Sequence, residues 1–329
     1  MLEHGGDIAA AARRYGIPAA QWLDLSTGIN PQPYPMSPVP ESAWHRLPAD
    51  GDGLADLASA HYGGPALPVP GSQAAIQALP RLRTASRVLV LSPTYAEHAQ
   101  AWRRAGHTVR ELDAEALEAN TDEADVVVVS NPNNPDAGII PRRRLLCWHA
   151  RLASRRGWLI VDEAFADAQP EQSVADRADQ PGLIVLRSLG KFFGLAGLRA
   201  GFVLAEDRLR ESLAEMIGPW AVSGPARFGA RGALADGAWQ ARTRERLARD
   251  SKRLAEVLAN HGLGPAAGTA LFQWVPHERA QHVAEVLAHQ AILVRHFPAL
   301  GALRFGLPGE ETAWRRLDET LAAVRRELA

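Results

Sequence analysis

Lysine is almost missing from this 329-residue chain: of 36 basic side chains only Lys191 and Lys252 are lysine, so the other 34 are arginine. Where positive charge alone is needed this chain uses arginine, so a retained lysine points to chemistry of the amine. A primary amine can lose its proton and condense with an aldehyde, whereas guanidinium stays charged and is a poor nucleophile. On the count alone Lys191 is either such an amine or a solvated lysine in the glycine-rich run SLGKFFGLAGLRAGF. Cysteine is scarcer still. The single Cys147, between apolar neighbours in LLCWHA, excludes an internal disulfide and any multi-cysteine metal site, and it fits the cytoplasm. A formal net charge of −1 excludes the bulk basic field that gathers nucleic acid or an anionic membrane. No run of about 18 apolar residues appears. The amino terminus MLEHGGDIAAAARRYGI carries charges where a secretory leader has an unbroken apolar core. The expectation is a soluble protein that acts on small molecules and needs no metal.

What is present is a large apolar content, 47%, enough for one big and one smaller domain. From Arg87 to Phe202 short aliphatic runs end in polar or Gly/Pro residues, with helical patterns between them: RVLVLSP, ADVVVVSNP, WLIVDEAF, GLIVLRSL and RAGFVLA. These are spaced as buried strands of an α/β sheet. In open α/β sheets ligands bind at the carboxyl edge, and here the strand ends carry Tyr95, Asn134, Asp162 and Lys191. Beyond about residue 207 the pattern turns to long helical stretches such as WQARTRERLARDSKRLAEVLANHGL, a connecting helix. A second, α+β domain follows with LFQWVPH, a helix over ERAQHVAEVLAHQ, the strands ILVRHF and ALRFGLP, and a last helix from Glu310 to Leu328. The segment before Gly71 is rich in Pro and Gly and reads as an extended arm with irregular connections. The expected boundaries are an arm over 1–40, a large domain over 41–220, and the connecting helix with a small domain over 221–329.

Each candidate residue has two readings. Asp162, at the end of an apolar strand, is a carboxylate awaiting a cationic partner such as a protonated ring nitrogen, or one that simply meets water. Asn134 in SNPNNPDAG is an amide that could donate to a phenolate oxygen, or part of a turn. Gly71 to Ala75, GSQAA, opens a helix whose first amides suit an anion, with capping by Ser72 as the alternative. Tyr95 is an aromatic plate or ordinary packing. Together an amine, a carboxylate, an amide, an anion cradle and a stacking ring are what pyridoxal phosphate requires.

NPNNPDAG, VDEAF and SLGKFFGLAGLRAGF, in that order, resemble the motifs of the fold-type I pyridoxal phosphate enzymes, the class I/II aminotransferase superfamily. The resemblance spans roughly residues 71 to 201 and continues more loosely to Arg304. It implies the fold-type I α/β architecture, with a mainly parallel seven-stranded sheet and a smaller α+β domain. It also implies a homodimer. By this likeness Lys191 forms the internal Schiff base, Asp162 pairs with the ring nitrogen, Asn134 bonds the ring oxygen and Tyr95 stacks on the ring. Ser72, Gln73, Ser188 and Arg199 surround the cofactor phosphate. Arg304 in ALRFG matches the carboxylate-binding arginine; Arg295 is placed to meet a substrate phosphate or to form an exposed ion pair; and His4, Gly28 and Asn30 close over the substrate from the arm. Two positions depart from the pattern. Phe165 stands where the family often has tyrosine, and Leu47 where the histidinol-phosphate relatives carry a tyrosine that reaches a neighbouring subunit.

EHGGDIAAAARRYGI followed by WLDLSTGINP resembles the opening of the threonine-phosphate decarboxylases of cobalamin biosynthesis, and DEAF fits that group. The resemblance implies conversion of the phosphorylated amino acid L-threonine O-3-phosphate to (R)-1-amino-2-propanol O-2-phosphate. Histidinol-phosphate aminotransferase, or a similar transaminase, is the second expectation. A ligand-sensing module fused to a DNA-binding domain is the third, but it needs a basic helix-turn-helix segment, and nothing ahead of residue 40 resembles one.

Overall fold

The structure, a computed structural model, describes residues 4–328. The chain opens one sheet with β1 (Leu23–Leu25) and then builds another from β2 (Ala66–Val69), β3 (Arg87–Leu91), β4 (Thr108–Leu112), β5 (Val126–Ser130), β6 (Trp158–Asp162), β7 (Leu183–Ser188) and β8 (Gly201–Leu204). It returns to the first with β9 (Ala267–Thr269), β10 (Phe272–Pro276), β11 (Ile292–Phe297) and β12 (Ala302–Gly306). The seven-stranded sheet has the order β2-β8-β7-β6-β5-β3-β4, in which β3 to β7 are parallel and β8 alone runs against them. The five-stranded sheet, β1-β11-β12-β10-β9, is antiparallel except where β1 lies beside β11. The expected α/β architecture, with a mainly parallel seven-stranded sheet and a smaller α+β part, is present.

Every residue of β5 is buried, and the Val126–Val129 run explains why: a strand covered on both faces has no need of alternation. Val126 and Val128 pack with Ile160, Ile184, Leu186 and the fully enclosed Trp102 in one cluster. Four strands escaped the sequence reading, and all are sheet edges: the three-residue β1 and β9 in the five-stranded sheet, and β2 and β4 in the seven-stranded one. β4 is mostly exposed and carries Arg110 and Glu111, so no apolar run marks it. β2 contains Pro68, which breaks a strand pattern in sequence but is tolerated on an edge. The stretch before Gly71, expected to be irregular, also holds the helix Leu54–Tyr62.

The chain divides into two compact units. One takes in the chain up to Pro33, Pro135–Ala137 and the part from Gln240 onward; the other is Tyr34–Asn134 with Gly138–Trp239. These limits differ from 40 and 220 for local reasons. Tyr34 N–H donates to the Phe193 carbonyl at 2.9 Å and its ring meets Trp239 edge-on at 5.2 Å. The helix Gly224–Ala235 packs against Leu54–Tyr62, and Gly224 lies so close to the Ala43 carbonyl that a Cβ there has no room. Both segments are thereby held in the larger unit. No helix among the described residues is long and apolar enough to cross a membrane.

Removing the Trp102 ring from the sheet's apolar layer should destabilise the larger unit by about 3–5 kcal/mol. Urea unfolding of Trp102→Ala followed by far-ultraviolet circular dichroism should show the lower midpoint, and an unchanged midpoint would refute its place in the core.

Candidate active site

Because β3, β5, β6 and β7 run the same way, the residues that follow them gather at one edge. Asp162 is the last residue of β6 and Ser188 the last of β7, with Lys191 three residues on; Tyr95 and Asn134 each follow their strand by four. Arg199 stands two residues before β8, whose reversed direction returns the chain to the same edge, and Ser72 opens the helix that follows β2. All eight residues expected around the cofactor lie in the larger unit.

Asp162 is buried and has a partner that sequence reasoning missed. His98 Nε2 lies 2.9 Å from its Oδ2 and donates to it, while Ala164 N–H donates to Oδ1 at 3.1 Å. His98 is one helical turn beyond Tyr95 in SPTYAEH, so the signal was a histidine at i+3 from an aromatic strand-end residue. The Tyr95 ring meets His98 edge-on, with centroids 6.1 Å apart. Its hydroxyl donates to Gln73 Oε1 at 3.1 Å, and Gln73 and Gln77 both donate to Glu97 Oε2 at 3.1 Å. Burial foremost, then the negative charges of Glu97 and Asp162, push the Tyr95 phenol up to about 12 against the opposing pull of Arg199. The ring therefore stays a neutral phenol at any physiological pH. Gln73 spends its side chain on this network, and only its backbone amide remains to serve an anion.

Capping by Ser72 is not what the structure shows. The cap position of the helix Ser72–Ala78 is Gly71, with φ 76°, and no side chain bonds the first turn. The first amides of an α-helix have no acceptor within it, so these are directed to whatever lies before the helix. A Cβ at Gly71 would come within 2.7 Å of Arg199 Nη2, and one at Gly201 within 2.8 Å of Ser72 N. Glycine is required at Gly201 by backbone on both sides and at Gly71 by its positive φ, and the guanidinium lies in the space a Gly71 Cβ would take. Arg199 itself is left-handed (φ 52°, ψ 47°), an uncommon conformation for a residue with a Cβ.

Lys191 is half-buried, with Nζ 5.4 Å from the centre of the Phe165 ring. Phe165 is buried and brings a π face where a tyrosine would bring a hydroxyl. In the turn after β5, the Asn131 side chain pairs with both backbone groups of Ile140, and Asn133 accepts from Thr94 at 2.6 Å and donates to the Pro93 carbonyl at 2.8 Å. Those two amides build the turn, and the third, Asn134, is carried by it. Ser188 Oγ accepts from Gly190 N–H at 3.2 Å.

The other unit holds the residues assigned to the substrate. Arg295 and Arg304 are direct cross-strand partners on β11 and β12, and both guanidinium groups lie near Phe297, at 5.3 and 6.0 Å from its ring centre. Arg304 is buried and donates through Nη2 to the Ser26 carbonyl at 2.7 Å. Burial first, then the like charge of Arg295, pull its pKa down to about 10, with Asp24 opposing. A buried cation beside a second cation is stabilised by an anion. Gly5 packs directly against the Ser26 carbonyl and Gly6 N–H donates to Ser26 Oγ at 2.7 Å, so the segment carrying the exposed His4 crosses the residue that holds Arg304. Gly28 is buried. Asn30 is buried too, and its Oδ1 accepts from Arg246 at 2.8 Å and Gln32 N–H at 3.0 Å, which makes it a brace within this unit.

Comparison with known proteins gives the family. The chain is 54% identical to a threonine-phosphate decarboxylase of Pseudomonas aeruginosa, over 99% of this chain and 98% of that one. It is 47% identical to a threonine-phosphate decarboxylase of a Sinorhizobium species, over 98% of each. The solved structure of histidinol-phosphate aminotransferase from Sinorhizobium meliloti in complex with pyridoxal-5'-phosphate superposes with a TM-score of 0.83, over 100% of this chain and 96% of that chain, at 22% identity; at that identity the likeness concerns the fold alone. The family model for class I and II aminotransferases matches residues 54–317, and the chain belongs to that family.

Proposed function

We propose that this chain is a pyridoxal-phosphate-dependent decarboxylase of L-threonine O-3-phosphate, yielding (R)-1-amino-2-propanol O-2-phosphate for cobalamin. The observation that carries this assignment is near-full-length identity to two proteins named for that activity, 54% and 47%. Bound pyridoxal phosphate supplies an aldehyde for a primary amine and a ring that withdraws electrons from the bond broken at Cα. The residues fit it. Lys191 is the amine and then the group that returns a proton to Cα after carbon dioxide leaves. Asp162, held by His98 and the Ala164 amide, takes the ring N–H. Asn134 donates to the ring oxygen and Tyr95 covers the ring. The amides of Ser72 and Gln73, with Ser188 and Arg199, take the phosphate at a cradle that a Cβ on Gly71 would fill. Arg304 and Arg295 engage the substrate's anionic groups, each by a planar fork suited to paired oxygens; His4, Gly28 and Asn30 complete that surface.

We infer a homodimer in the cytoplasm. Trp44, Leu47 and Trp220 are large apolar side chains left mostly exposed, and the helix Ser42–His45, which carries Trp44, packs beside the start of Gly224–Ala235. Exposed apolar groups of this size gathered in one region mark association surfaces.

The purified protein is expected to be yellow, and Lys191→Ala to be colourless and inactive. Borohydride reduction and peptide mapping should place the cofactor on Lys191; an adduct on Lys252, or none, refutes the assignment.

Incubation with threonine phosphate alone should release carbon dioxide with no need for 2-oxoglutarate. Steady turnover of histidinol phosphate only when 2-oxoglutarate is present, with no carbon dioxide from threonine phosphate, would make the chain a transaminase.

Loss of the Arg304 fork removes charge-assisted hydrogen bonds of about 1.5–3 kcal/mol each, so Arg304→Ala should raise KM by about tenfold or more. Arg295→Ala should narrow the preference for phosphorylated over unphosphorylated threonine; an unchanged preference removes Arg295 from phosphate recognition.

A further inference from the structure

Behind the cofactor residues lies a buried ionic cluster that none of the assigned chemistry uses. Arg187 is 2% exposed in its side chain, Glu163 0% and Asp167 2%. Arg187 Nη2 lies 2.8 Å from Glu163 Oε2 and donates to Ser173 Oγ at 2.8 Å; Nη1 lies 3.4 Å from Asp167 Oδ1. Ser173 in turn donates to Glu163 Oε2 at 2.6 Å, and Val174 N–H donates to Glu163 Oε1 at 2.8 Å. The guanidinium also lies 4.7 Å over the Tyr62 ring. Burial holds the Glu163 carboxyl above its usual range against the pull of Arg187, and burial opposes the Arg187 charge too, but the Glu163 and Asp167 charges outweigh it.

Such a cluster is a poor device for stability, since desolvating the ions offsets most of their attraction and apolar replacements of similar volume are often neutral or better. Its position suggests what it contributes instead. Glu163 directly follows Asp162, and Arg187 directly precedes Ser188. Successive side chains of a strand point to opposite faces. Asp162 is in register with Leu186 on the parallel neighbour, so Asp162, Leu186 and Ser188 share one face, and Glu163 and Arg187 share the other. The Asp162 side chain meets His98 on its face; Glu163 meets Arg187, Ser173 and Val174 on the other. A one-residue slip of either strand would exchange the two sets, placing Glu163 or Arg187 where the cofactor needs Asp162 or Ser188.

We propose that Arg187, gripped by Glu163, Asp167 and Ser173, is a positioning residue. From the rear face it locks the two strand ends that present Asp162, and Ser188 with the turn to Lys191, to the cofactor. The proposal rests on the cofactor assignment above.

The test compares the full-length protein with Arg187→Lys and with the triple variant Arg187→Met, Glu163→Gln, Asp167→Asn. The triple variant removes every charge of the cluster together, so no buried ion is stranded and the apo protein should melt within a few degrees of the parent. Its affinity for added pyridoxal phosphate should nevertheless fall about tenfold, near 1.4 kcal/mol. The visible cofactor band should shift, and Arg187→Lys should lie between the two. If either variant folds and binds pyridoxal phosphate with the parent's affinity and band, the positioning role is wrong. If the parent itself takes no cofactor on Lys191, the cofactor assignment fails first and this proposal falls with it.

Discussion

Strands that run in one direction must end at one edge, and the site depends on that constraint. β3, β5, β6 and β7 are parallel neighbours buried on both faces, so their apolar runs cannot hold polar groups within the sheet. Polar side chains are tolerated only where the runs stop. Tyr95, Asn134, Asp162 and Lys191 are therefore collected by topology from stretches up to 96 residues apart in sequence, 95 to 191. The one reversed central strand, β8, matters equally: it starts at this edge, and so brings Arg199 to the same place.

Around that edge the chain uses backbone where side chains would not fit. Gly201 allows the backbone amide of Ser72 an approach that any Cβ would block, and Gly71 adopts the positive φ that opens the helix beside the Arg199 guanidinium. Charge is then arranged so that each group keeps one form at neutral pH. Tyr95 is held as a phenol by burial beside two carboxylates, and burial and the neighbouring Arg295 lower the pKa of Arg304, so an anion bound beside it would favour its charged form. Both effects favour binding over folding.

The strands with long aliphatic runs, and the residues at their ends, could be read from the sequence because burial on both faces removes the polar alternation that hides a strand. The edge strands could not. β4 carries charges on an exposed surface, and Pro68 in β2 has the signature of a break. Motif likeness brought Lys191, Asp162 and Asn134 forward, but it passed over their supports. His98 is an ordinary residue until the helix after Tyr95 turns it toward Asp162, and Arg187 was one of 34 arginines until β6 and β7 placed it beside Glu163. Partners of this kind depend on pairing between distant segments, and no local pattern encodes them. The division between the units moved for the same reason, since Tyr34 and Gly224 are fixed by contacts with residues far along the chain.

The two edges of the seven-stranded sheet have a further consequence. One is closed by a strand whose Pro68 has no N–H to offer, and the other by a short strand that carries Arg110 and Glu111, the latter paired with Arg103 of the preceding helix. Neither gives an incoming strand an apolar, fully donating ladder to extend. This sheet is thus steered away from continuing into a sheet of another copy, the route that leads to fibres. Any contact made at these edges is left to side-chain surfaces, where shape limits the number of partners.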